Sequence, residues 1–533
     1  MDTHTAAVAA ASRIDAGAAL VEALQDPACY PHAVDRVEVI ETHISYVLLA
    51  GEFAYKVKKA LRLPFLDFST PAARRRYCEE ELRLNRRAAP GIYLEVVEIT
   101  GDPARPRIGP GAPVLEHAVK MRRFPQEALF SVMARTGQLD RAHVDALADG
   151  VADLHAVADR RVPPEAAPRG NPALDNFAEI AALGIDGSIL DRLAPLRRWT
   201  ESAARELEAC FAARAAAGFV RECHGDLHLA NVALVDGRPT PFDGIEFSLA
   251  FRWIDVASDV AFAAMDLYRH RLPRLAARFV SRYLERTGDY GALRVLRYYL
   301  VYRAMVRAKV AAIAMRQALP GSAAARERRE ELLELVSLAD GLSRPRPALL
   351  VVMHGLPASG KTTVSERLLE ALGAVRLRSD VERKRLHRMA ADARAGAAPG
   401  EGIYTALDTQ ATYERLAELA RTALAAGYPV IVDATFARRE ERARFRAVAR
   451  DAGAAFHIVS CIAPEAVLRA RIQARAAAGR DASDAGLAVL EQRMRDDLPP
   501  SAQERARAVD TTLPMPDELV AALAARLASG ILA

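Results

Sequence analysis

The sequence predicts two successive regions of different fold class: an α+β region with a β-rich start and a helical end, then an α/β region with a parallel sheet. Strand-like stretches flank a glycine turn within residues 37–57. Helical patterns dominate residues 250–342, and a proline-containing linker lies at residues 341–347. Beyond it, short apolar runs alternate with helical segments, which is typical of a doubly wound parallel sheet.

Length and composition limit the classes of protein to consider. The 533 residues are 51% hydrophobic, which is enough for about three to four folding units of ~150 residues each. The net charge of +5 excludes an acidic or disorder-dominated chain and gives no strong nucleic-acid footprint. Only seven of the 73 basic residues are lysine, so a lysine that chemistry requires should stand out.

Cysteine spacing and the N-terminal residues predict a cytoplasmic protein without a membrane partner. The five cysteines lie far apart, so neither a disulfide framework nor a zinc ribbon is indicated. Residues 1–10 lack the pattern of a secretory signal, and no run approaches the ~18 apolar residues needed to span a bilayer.

Within the first region, the predicted elements begin with a hairpin of strands 37–49 and 53–57 around Gly51. Thr70 is then predicted to cap a helix that has Pro71 at its first position and ends near residue 88. Further helical patterns cover residues 126–160 and 201–217. Short apolar runs with interleaved polar residues predict strands and loops over residues 220–247.

The clearest motif lies in the second region, where residues 355–362 fit the phosphate-binding pattern G-x4-G-K-[ST] between a strand and a helix. Glycines let backbone N–H groups wrap phosphates, Lys361 reaches the β- and γ-phosphates, and Thr362 can hold Mg²⁺. The predicted nucleotide-binding residues of this loop are Gly355, Pro357, Ala358, Ser359, Gly360, Lys361, Thr362 and Thr363.

Five further positions extend this predicted site. Asp433 ends an apolar strand, a position suited to Mg²⁺. Asp380 and Arg383 are spaced to share a cleft, as acceptor base and as holder of an anionic substrate group, or else they are a helix cap and a solvated arginine. Arg471 and Arg475 share a helix face, which predicts either an arginine lid over the triphosphate or a plain surface.

These motifs resemble the small P-loop kinases of the polynucleotide-kinase-like, gluconate-kinase-like and zeta-toxin-like group, over about residues 348–515. The resemblance implies that Ser379, Asp380 and Arg383 lie at the acceptor site and that lid arginines contact ATP. It implies a kinase with ATP and Mg²⁺ and does not name the acceptor.

A second set of polar residues lies in the first region, where residues 224–231 read His-Gly-Asp-Leu-His-Leu-Ala-Asn. Asp226 and Asn231 are followed by Asp243. The spacing fits kinase chemistry, in which one Asp accepts the hydroxyl proton, an Asn binds Mg²⁺ and a later Asp bridges Mg²⁺ to the phosphates. His224 and His228 are either a metal pair or satisfied histidines, and we expect His224 to brace the loop.

Such a site also needs a lysine and a carboxylate that positions it. Three of the seven lysines cluster at positions 56, 58 and 59, and strand parity places Lys56 and Lys58 on one face without separating them. Glu81 lies on the apolar stripe of the following helix. An acid on a buried face needs a cation, so Glu81 is the predicted partner.

Together these residues resemble the aminoglycoside phosphotransferase and choline-kinase-like superfamily over about residues 35–340, and the whole chain resembles bifunctional aminoglycoside phosphotransferase/ATP-binding proteins. The resemblance implies a two-lobed protein-kinase-like fold with Lys56 as the ATP lysine, Asp226 as the base, and Asn231 and Asp243 as metal ligands. It also places an interlobe hinge at residues 121–124. No G-x-G-x-x-G loop precedes the lysine.

The predicted protein is therefore an ATP- and Mg²⁺-dependent phosphotransferase with two nucleotide sites, each acting on a hydroxyl of a small molecule. A regulatory protein with one active half and a nucleic-acid end kinase are the alternatives, and the low net charge disfavours the second. The predicted divisions are an extension (1–34), a kinase-like N-lobe (35–125), a helical C-lobe with the catalytic loop (126–342), a linker (343–347) and a P-loop kinase domain (348–533).

Overall fold

The computed structural model describes residues 17–63, 66–166, 170–390, 393, 402–478, 486–514 and 517–529. The chain forms two compact units. The first unit comprises residues 1–139, 153–172 and 213–263, and the second comprises residues 140–152, 173–212 and 264–533. In the part of the chain that the structure describes, no helix combines the length and apolar character needed to cross a membrane.

The strands are β1 (Val37–Glu41), β2 (Ser45–Ala50), β3 (Phe53–Lys58), β4 (Arg62–Leu63), β5 (Leu66–Asp67), β6 (Tyr93–Asp102), β7 (Arg105–Ile108), β8 (Val114–Arg122), β9 (Val220–Glu222), β10 (Val232–Val235), β11 (Arg238–Pro241), β12 (Trp253–Asp255), β13 (Leu349–His354), β14 (Val375–Arg378), β15 (Val430–Asp433), β16 (Ala455–Ile462) and β17 (Arg507–Asp510).

The helices that bear on the two sites and on the sequence predictions are α1 (Pro71–Asn85), α2 (Phe130–Arg135), α3 (Arg141–Val157), α4 (Pro172–Ala182), α5 (Gly187–Ala216), α6 (Leu249–Arg252), α7 (Val256–Arg269), α8 (Pro273–Thr287), α9 (Leu293–Gln317), α10 (Ala323–Ser343), α11 (Lys361–Leu372), α12 (Ser379–Leu386), α13 (Ala406–Ala425), α14 (Arg439–Asp451), α15 (Glu465–Ala478), α16 (Leu487–Asp496) and α17 (Asp517–Ser529).

The first unit contains a six-stranded sheet in the order β1-β2-β3-β8-β6-β7, whose paired strands are antiparallel. The predicted hairpin is confirmed, with Ala50 opposite Phe53. Gly51 makes the turn at φ +59°, and a Cβ there would lie 2.9 Å from the Ala33 carbonyl oxygen. The turn therefore requires glycine both for its backbone conformation and for its space.

The predicted single strand over residues 37–49 is wrong, because β1 and β2 are separate strands. Between them, Thr42 Oγ1 accepts a hydrogen bond from the Ser45 N–H at 2.9 Å, and the Thr42 N–H donates to the Ser45 carbonyl at 2.9 Å. This side-chain hydrogen bond closes a tight turn inside a stretch that strand-forming residues flank on both sides.

Helix α1 starts as the sequence predicts and ends three residues earlier than predicted. Thr70 has an extended backbone, and its hydroxyl accepts a hydrogen bond from the Ala73 N–H at 3.2 Å. Pro71 takes the first helical position, where its missing N–H costs nothing. The helix ends at Asn85, and turns follow in which the Ala88 and Ala89 N–H groups both donate to the Asn85 carbonyl.

Replacing Thr70 with alanine is expected to lower the free energy of unfolding by about 1 kcal/mol, since one N-terminal N–H of α1 loses its acceptor. Urea denaturation of the full chain, followed at the transition that reports the first unit, measures the loss. Thr70→Ser keeps the hydroxyl and should stay close to the parent. An equal loss in both variants would contradict the capping role.

Two other helical predictions need correction. The pattern over residues 126–160 forms two helices, α2 and α3, because residues 136–140 lie in a turn and loop between them. The stretch predicted at 201–217 is the second half of the 30-residue helix α5, which begins at Gly187 and contains Pro195. Proline inside a helical pattern argues against a continuous helix, which is why the sequence did not predict its first half.

The second unit is built on five parallel strands in the order β14-β15-β13-β16-β17. The predicted parallel α/β sheet is confirmed. Strand β13 is central and fully buried, as expected for a strand with neighbours on both sides. Helix α10 continues through Gly341 to Ser343, so the first residues of the predicted linker lie in its last turn.

Candidate active sites

A lysine–glutamate cluster lies in the first unit between strand β3 and helix α1. Lys56 Nζ donates to Glu81 Oε1 at 2.8 Å, and Lys58 Nζ donates to Glu81 Oε2 at 2.7 Å. Glu81 is fully buried. Burial alone would raise its pKa, but the two ammonium groups outweigh it and lower the pKa of Glu81 to about 2. The predicted lysine–Glu81 contact is therefore present, and both candidate lysines make it.

Lys56 and Lys58 differ in the second carboxylate that each contacts. Lys56 forms an ion pair with Asp243, whereas Lys58 pairs with Glu246. The Lys58 and Glu246 side chains are at most 3% exposed, but the Asp243 side chain is 42% exposed. Lys56 is thus the lysine that reaches the predicted metal ligand at the open side of the cluster.

Asp243 occupies an uncommon backbone conformation that two buried side chains maintain. Its φ is +62°, and its N–H donates to the Tyr93 hydroxyl at 3.0 Å. The following Gly244 N–H donates to Asn85 Oδ1 at 2.7 Å. A non-glycine residue at positive φ costs energy and persists where its surroundings fix it. Tyr93 and Asn85 therefore hold the Asp243 carboxylate toward Lys56.

The loop of residues 224–231 joins Asp226 and Asn231. Asn231 Nδ2 donates to Asp226 Oδ2 at 3.0 Å and to the Asp226 carbonyl oxygen at 3.0 Å. His224 Nδ1 accepts from the Asp226 N–H at 3.3 Å, and its Nε2 lies 2.9 Å from the Phe242 carbonyl oxygen. Burial lowers the pKa of His224, which matches a neutral imidazole that accepts at one nitrogen and donates at the other. The predicted bracing role of His224 is confirmed.

Asp259, which the sequence did not single out, fixes the same loop from helix α7. Its two carboxylate oxygens accept the N–H groups of His224 and Gly225, each at 3.0 Å. His155 Nε2 lies 3.2 Å from the same carboxylate. Backbone hydrogen bonds to a buried carboxylate are strong, so Asp259 sets the conformation of the backbone just before Asp226.

The phosphate loop of the second unit adopts a conformation that its glycines allow. Gly355 and Gly360 have φ of +140° and +85°, and a Cβ at Gly355 would lie 2.5 Å from the Cys461 carbonyl oxygen. Helix α11 begins at Lys361, whose Nζ donates to the Gly355 and Leu356 carbonyls at 2.8 Å each. Ser359 Oγ is buried and has no hydrogen-bond partner among the described residues. The loop therefore presents a helix N-terminus and a lysine, as phosphate binding requires.

A cavity of about 890 Å³ opens beside this loop and brings together the predicted site residues of the second unit. Asp433 ends strand β15, and its Oδ2 accepts from Ser365 Oγ at 3.2 Å. Burial raises the pKa of Asp380, an effect that Arg378 opposes. The predicted residues on the cavity wall are Pro357, Ala358, Gly360, Lys361, Thr362, Thr363, Ser379, Asp380, Arg383, Asp433 and Arg471.

The predicted arginines of this site differ in their surroundings. Arg383 is buried, donates to the Ile403 carbonyl and to Thr409 Oγ1 at 3.2 and 3.3 Å, and lies 5.3 Å from the centre of the Tyr404 ring. Its Nε is buried without a hydrogen-bond partner in the described part of the chain. Arg383 also lines the cavity.

Arg471 contacts the phosphate loop itself. Its guanidinium donates to the Ala358 carbonyl at 3.2 Å and to the Thr511 carbonyl at 2.7 Å. Arg475 lies in helix α15, and its side chain is outside the described residues. The structure thus brings Arg471 to the nucleotide loop, and the predicted two-arginine lid stays a prediction.

The donor groups at both sites fit a hard divalent cation. In the first unit, Asn231 uses its amide nitrogen on Asp226, which leaves its Oδ1 for a cation, and the Asp243 carboxylate is half-exposed. In the second unit, the Thr362 hydroxyl and the Asp433 carboxylate line one cavity. All four groups offer oxygen, the ligand type that Mg²⁺ prefers.

Several residues of these sites were not predicted from the sequence. Asp259, Tyr93 and Asn85 act over separations of 34 to 159 residues along the chain. Asn85 offered one signal, because it lies four residues after Glu81 and so shares the buried stripe of α1. Glu246, the partner of Lys58, lies three residues after Asp243 and was likewise not singled out from the sequence.

Two family models match successive parts of the chain. The Phosphotransferase enzyme family matches residues 65–296, and an AAA domain matches residues 350–500. Among solved structures, a choline kinase of Cryptosporidium parvum is 10% identical, with a TM-score of 0.39, and covers 60% of this chain and 95% of its own. A gluconokinase of Sinorhizobium meliloti is 23% identical, with a TM-score of 0.26, and covers 35% of this chain and 96% of its own.

A relative in Mycobacterium tuberculosis, the uncharacterized protein Rv2004c, extends across both regions. It is 31% identical over 491 residues, which are 88% of this chain and 93% of the relative. Both regions are therefore joined in one chain in the relative as well. The chain belongs to the same family as this mycobacterial protein, combines a phosphotransferase-family domain with a C-terminal P-loop kinase-like AAA domain, and is an ATP-dependent phosphotransferase.

Proposed function

We propose that the chain has two active nucleotide sites, each of which transfers the γ-phosphoryl group of ATP to a hydroxyl group of a small molecule. One observation carries this proposal: each unit contains a complete set of a lysine for the phosphates, an oxygen donor set for Mg²⁺ and an aspartate for the acceptor hydroxyl. A half that only bound nucleotide would be free to lose one of these groups.

At the first site, Lys56 binds the α- and β-phosphates, and Glu81 orients it through the contact at 2.8 Å. Asn231 and Asp243 are the groups that hold Mg²⁺. Asp226 accepts the proton of the acceptor hydroxyl while that oxygen forms a bond to the γ-phosphorus and ADP leaves. The contact of Lys56 with Asp243 favours it over Lys58 as the ATP lysine.

At the second site, the loop N–H groups and Lys361 bind the phosphates, and Arg471 supports the loop at Ala358. Thr362 and Asp433 hold Mg²⁺, which neutralises charge on the β- and γ-phosphates when bound. Asp380 accepts the proton of the acceptor hydroxyl, and Arg383, which lines the same cavity, binds an anionic group of the acceptor.

Two single variants of the full chain test whether the sites are independent. Asp226→Asn should lower ATP turnover at the first site, and Lys361→Ala should lower it at the second, each by about 10²-fold or more. Each variant should leave the turnover of the other site intact. The measurement uses γ-labelled ATP with aminoglycosides, amino sugars, small alcohols and nucleosides as acceptors, so that each product is assigned to the variant that abolishes it.

Matched controls are Asp236→Asn, in an exposed turn of the first unit, and Lys309→Ala, whose lysine pairs with Glu179 in the second. Both should retain the full turnover of the parent. The proposal of two active sites is wrong if Asp226→Asn and Lys361→Ala each abolish all turnover, or if either leaves every product unchanged. Transfer to nucleic-acid ends that weakens steeply with added salt would favour an end kinase instead.

A further inference from the structure

Helix α8 precedes the linker, yet it contributes to the core of the parallel sheet. Ala277 packs in one buried cluster with residues of strand β13 and helix α11, among them Leu349, Val351 and Leu368. Ser281 Oγ accepts a hydrogen bond from the Arg376 N–H of strand β14 at 3.1 Å. The P-loop fold of the second unit therefore includes a helix from the preceding region of the chain.

The same helix brings a buried carboxylate to the end of strand β14. Glu285 is 5% exposed, and its Oε2 and Oε1 accept from Arg376 and Arg378 at 3.2 and 3.1 Å. Arg282 lies 3.8 Å away on the same helix, and Arg385 of α12 donates to the Glu285 carbonyl oxygen. Burial alone would raise the pKa of Glu285, but the arginines outweigh it and lower that pKa to about 2. Glu285 is therefore an anion that two strand arginines share.

Arg378 also faces the candidate nucleotide site. It is opposite Asp433 in the register of β14 and β15, it lies two residues before Asp380, and it lines the cavity. Burial lowers the pKa of Arg378, but Glu285, Asp433 and Asp380 together raise it well above its usual value. The guanidinium thus pairs with Glu285 at 3.1 Å and is also attracted by the two site carboxylates.

We propose that Glu285 is a positioning residue of the second nucleotide site. Glu285 shares Arg378 with Asp433 and Asp380, and this sharing keeps Asp433 available to Mg²⁺. This inference rests on the proposed role of Asp433. A buried cation that loses one carboxylate pairs more closely with those that remain. Without the Glu285 charge, Arg378 competes with Mg²⁺ for Asp433. Helix α8 of the kinase-like region thereby affects how strongly the P-loop domain binds Mg²⁺.

The test measures ATP binding by the full-length chain with Mg²⁺ and with EDTA, using calorimetry. Binding that Lys361→Ala removes is assigned to the second site. In Glu285→Gln, ATP binding should need about tenfold more Mg²⁺ to reach half of its maximal enhancement. The reason is that Arg378 then pairs with Asp433, and one close opposite charge shifts the equilibrium of a carboxylate by roughly this factor. The affinity for ATP in EDTA should change less than about twofold. Glu116→Gln, a buried carboxylate paired with Arg74 in the first unit, is the matched control.

A double-mutant cycle separates positioning from a structural role. If Glu285 acts through Arg378, the double variant that combines Glu285→Gln with Arg378→Gln should show the same Mg²⁺ dependence as the single variant Arg378→Gln. Additive losses, equal losses with Mg²⁺ and EDTA, or an unchanged Mg²⁺ dependence in Glu285→Gln would each overturn the inference. A parent chain whose second site shows no Mg²⁺ enhancement would instead overturn the proposed metal role of Asp433, and the inference with it.

Discussion

Replacing Lys56 with methionine is expected to lower ATP turnover at the first site by about 10²–10³-fold, since the phosphates lose a charge placed for the transition state. The fold should survive, because Glu81 keeps Lys58 as a partner and the Asp243 side chain is 42% exposed to water. Turnover is measured in a Lys361→Ala background, so that only the first site contributes, with the acceptor identified by the screen.

The variant Lys58→Met is the matched comparison for Lys56→Met. We expect it to lower the stability of the first unit. Lys58 is fully buried between Glu81 and Glu246, and breaking a buried ion pair by removing one partner costs about 3–5 kcal/mol. The transition of the first unit in urea should therefore shift far more in Lys58→Met than in Lys56→Met. If Lys58→Met folded like the parent and lost turnover while Lys56→Met kept it, the assignment of the two lysines would be reversed.

This pair of lysines also marks how far the sequence could predict the first site. Period-two alternation places Lys56 and Lys58 on one face of β3 and does not distinguish them. The distinction comes from residues 243 and 246, nearly 190 positions later in the chain. Glu81 could be predicted because its lysine partners lie only 23 and 25 residues earlier and because an acid on an apolar stripe needs a cation.

Contiguous motifs were predicted best, because their chemistry depends on local backbone. The phosphate loop lies between β13 and α11, where its pattern places it, and His224 braces Asp226 within three residues of chain. Elements set by distant packing were missed. No local pattern in helix α8 indicates that Glu285 meets Arg376 and Arg378 about 90 residues later. The turn at Thr42 is local but was also missed, because strand-forming residues flank it on both sides.

Replacing Asp380 with asparagine should suppress phosphoryl transfer at the second site by about 10²–10⁴-fold and leave ATP binding within about twofold of the parent. The reason lies in its surroundings. Burial raises the pKa of the Asp380 carboxyl, while Arg378, Arg383 and Lys361 oppose that rise. The group is thereby a stronger proton acceptor than a solvent-exposed aspartate, and asparagine keeps its shape while losing the accepting charge.

Asp433→Asn provides the contrast that identifies the role of Asp380. Asp433 ends β15 beside Ser365 of the phosphate-loop helix, so its loss should weaken Mg²⁺-dependent ATP binding, whereas Asp380→Asn should spare it. Transfer is measured with γ-labelled ATP in an Asp226→Asn background, and binding is measured by calorimetry on the same preparations. If Asp380→Asn lost ATP affinity to the same extent as Asp433→Asn, Asp380 would belong to the metal site or to the fold, and the acceptor base of the second site would have to be another residue of the cavity.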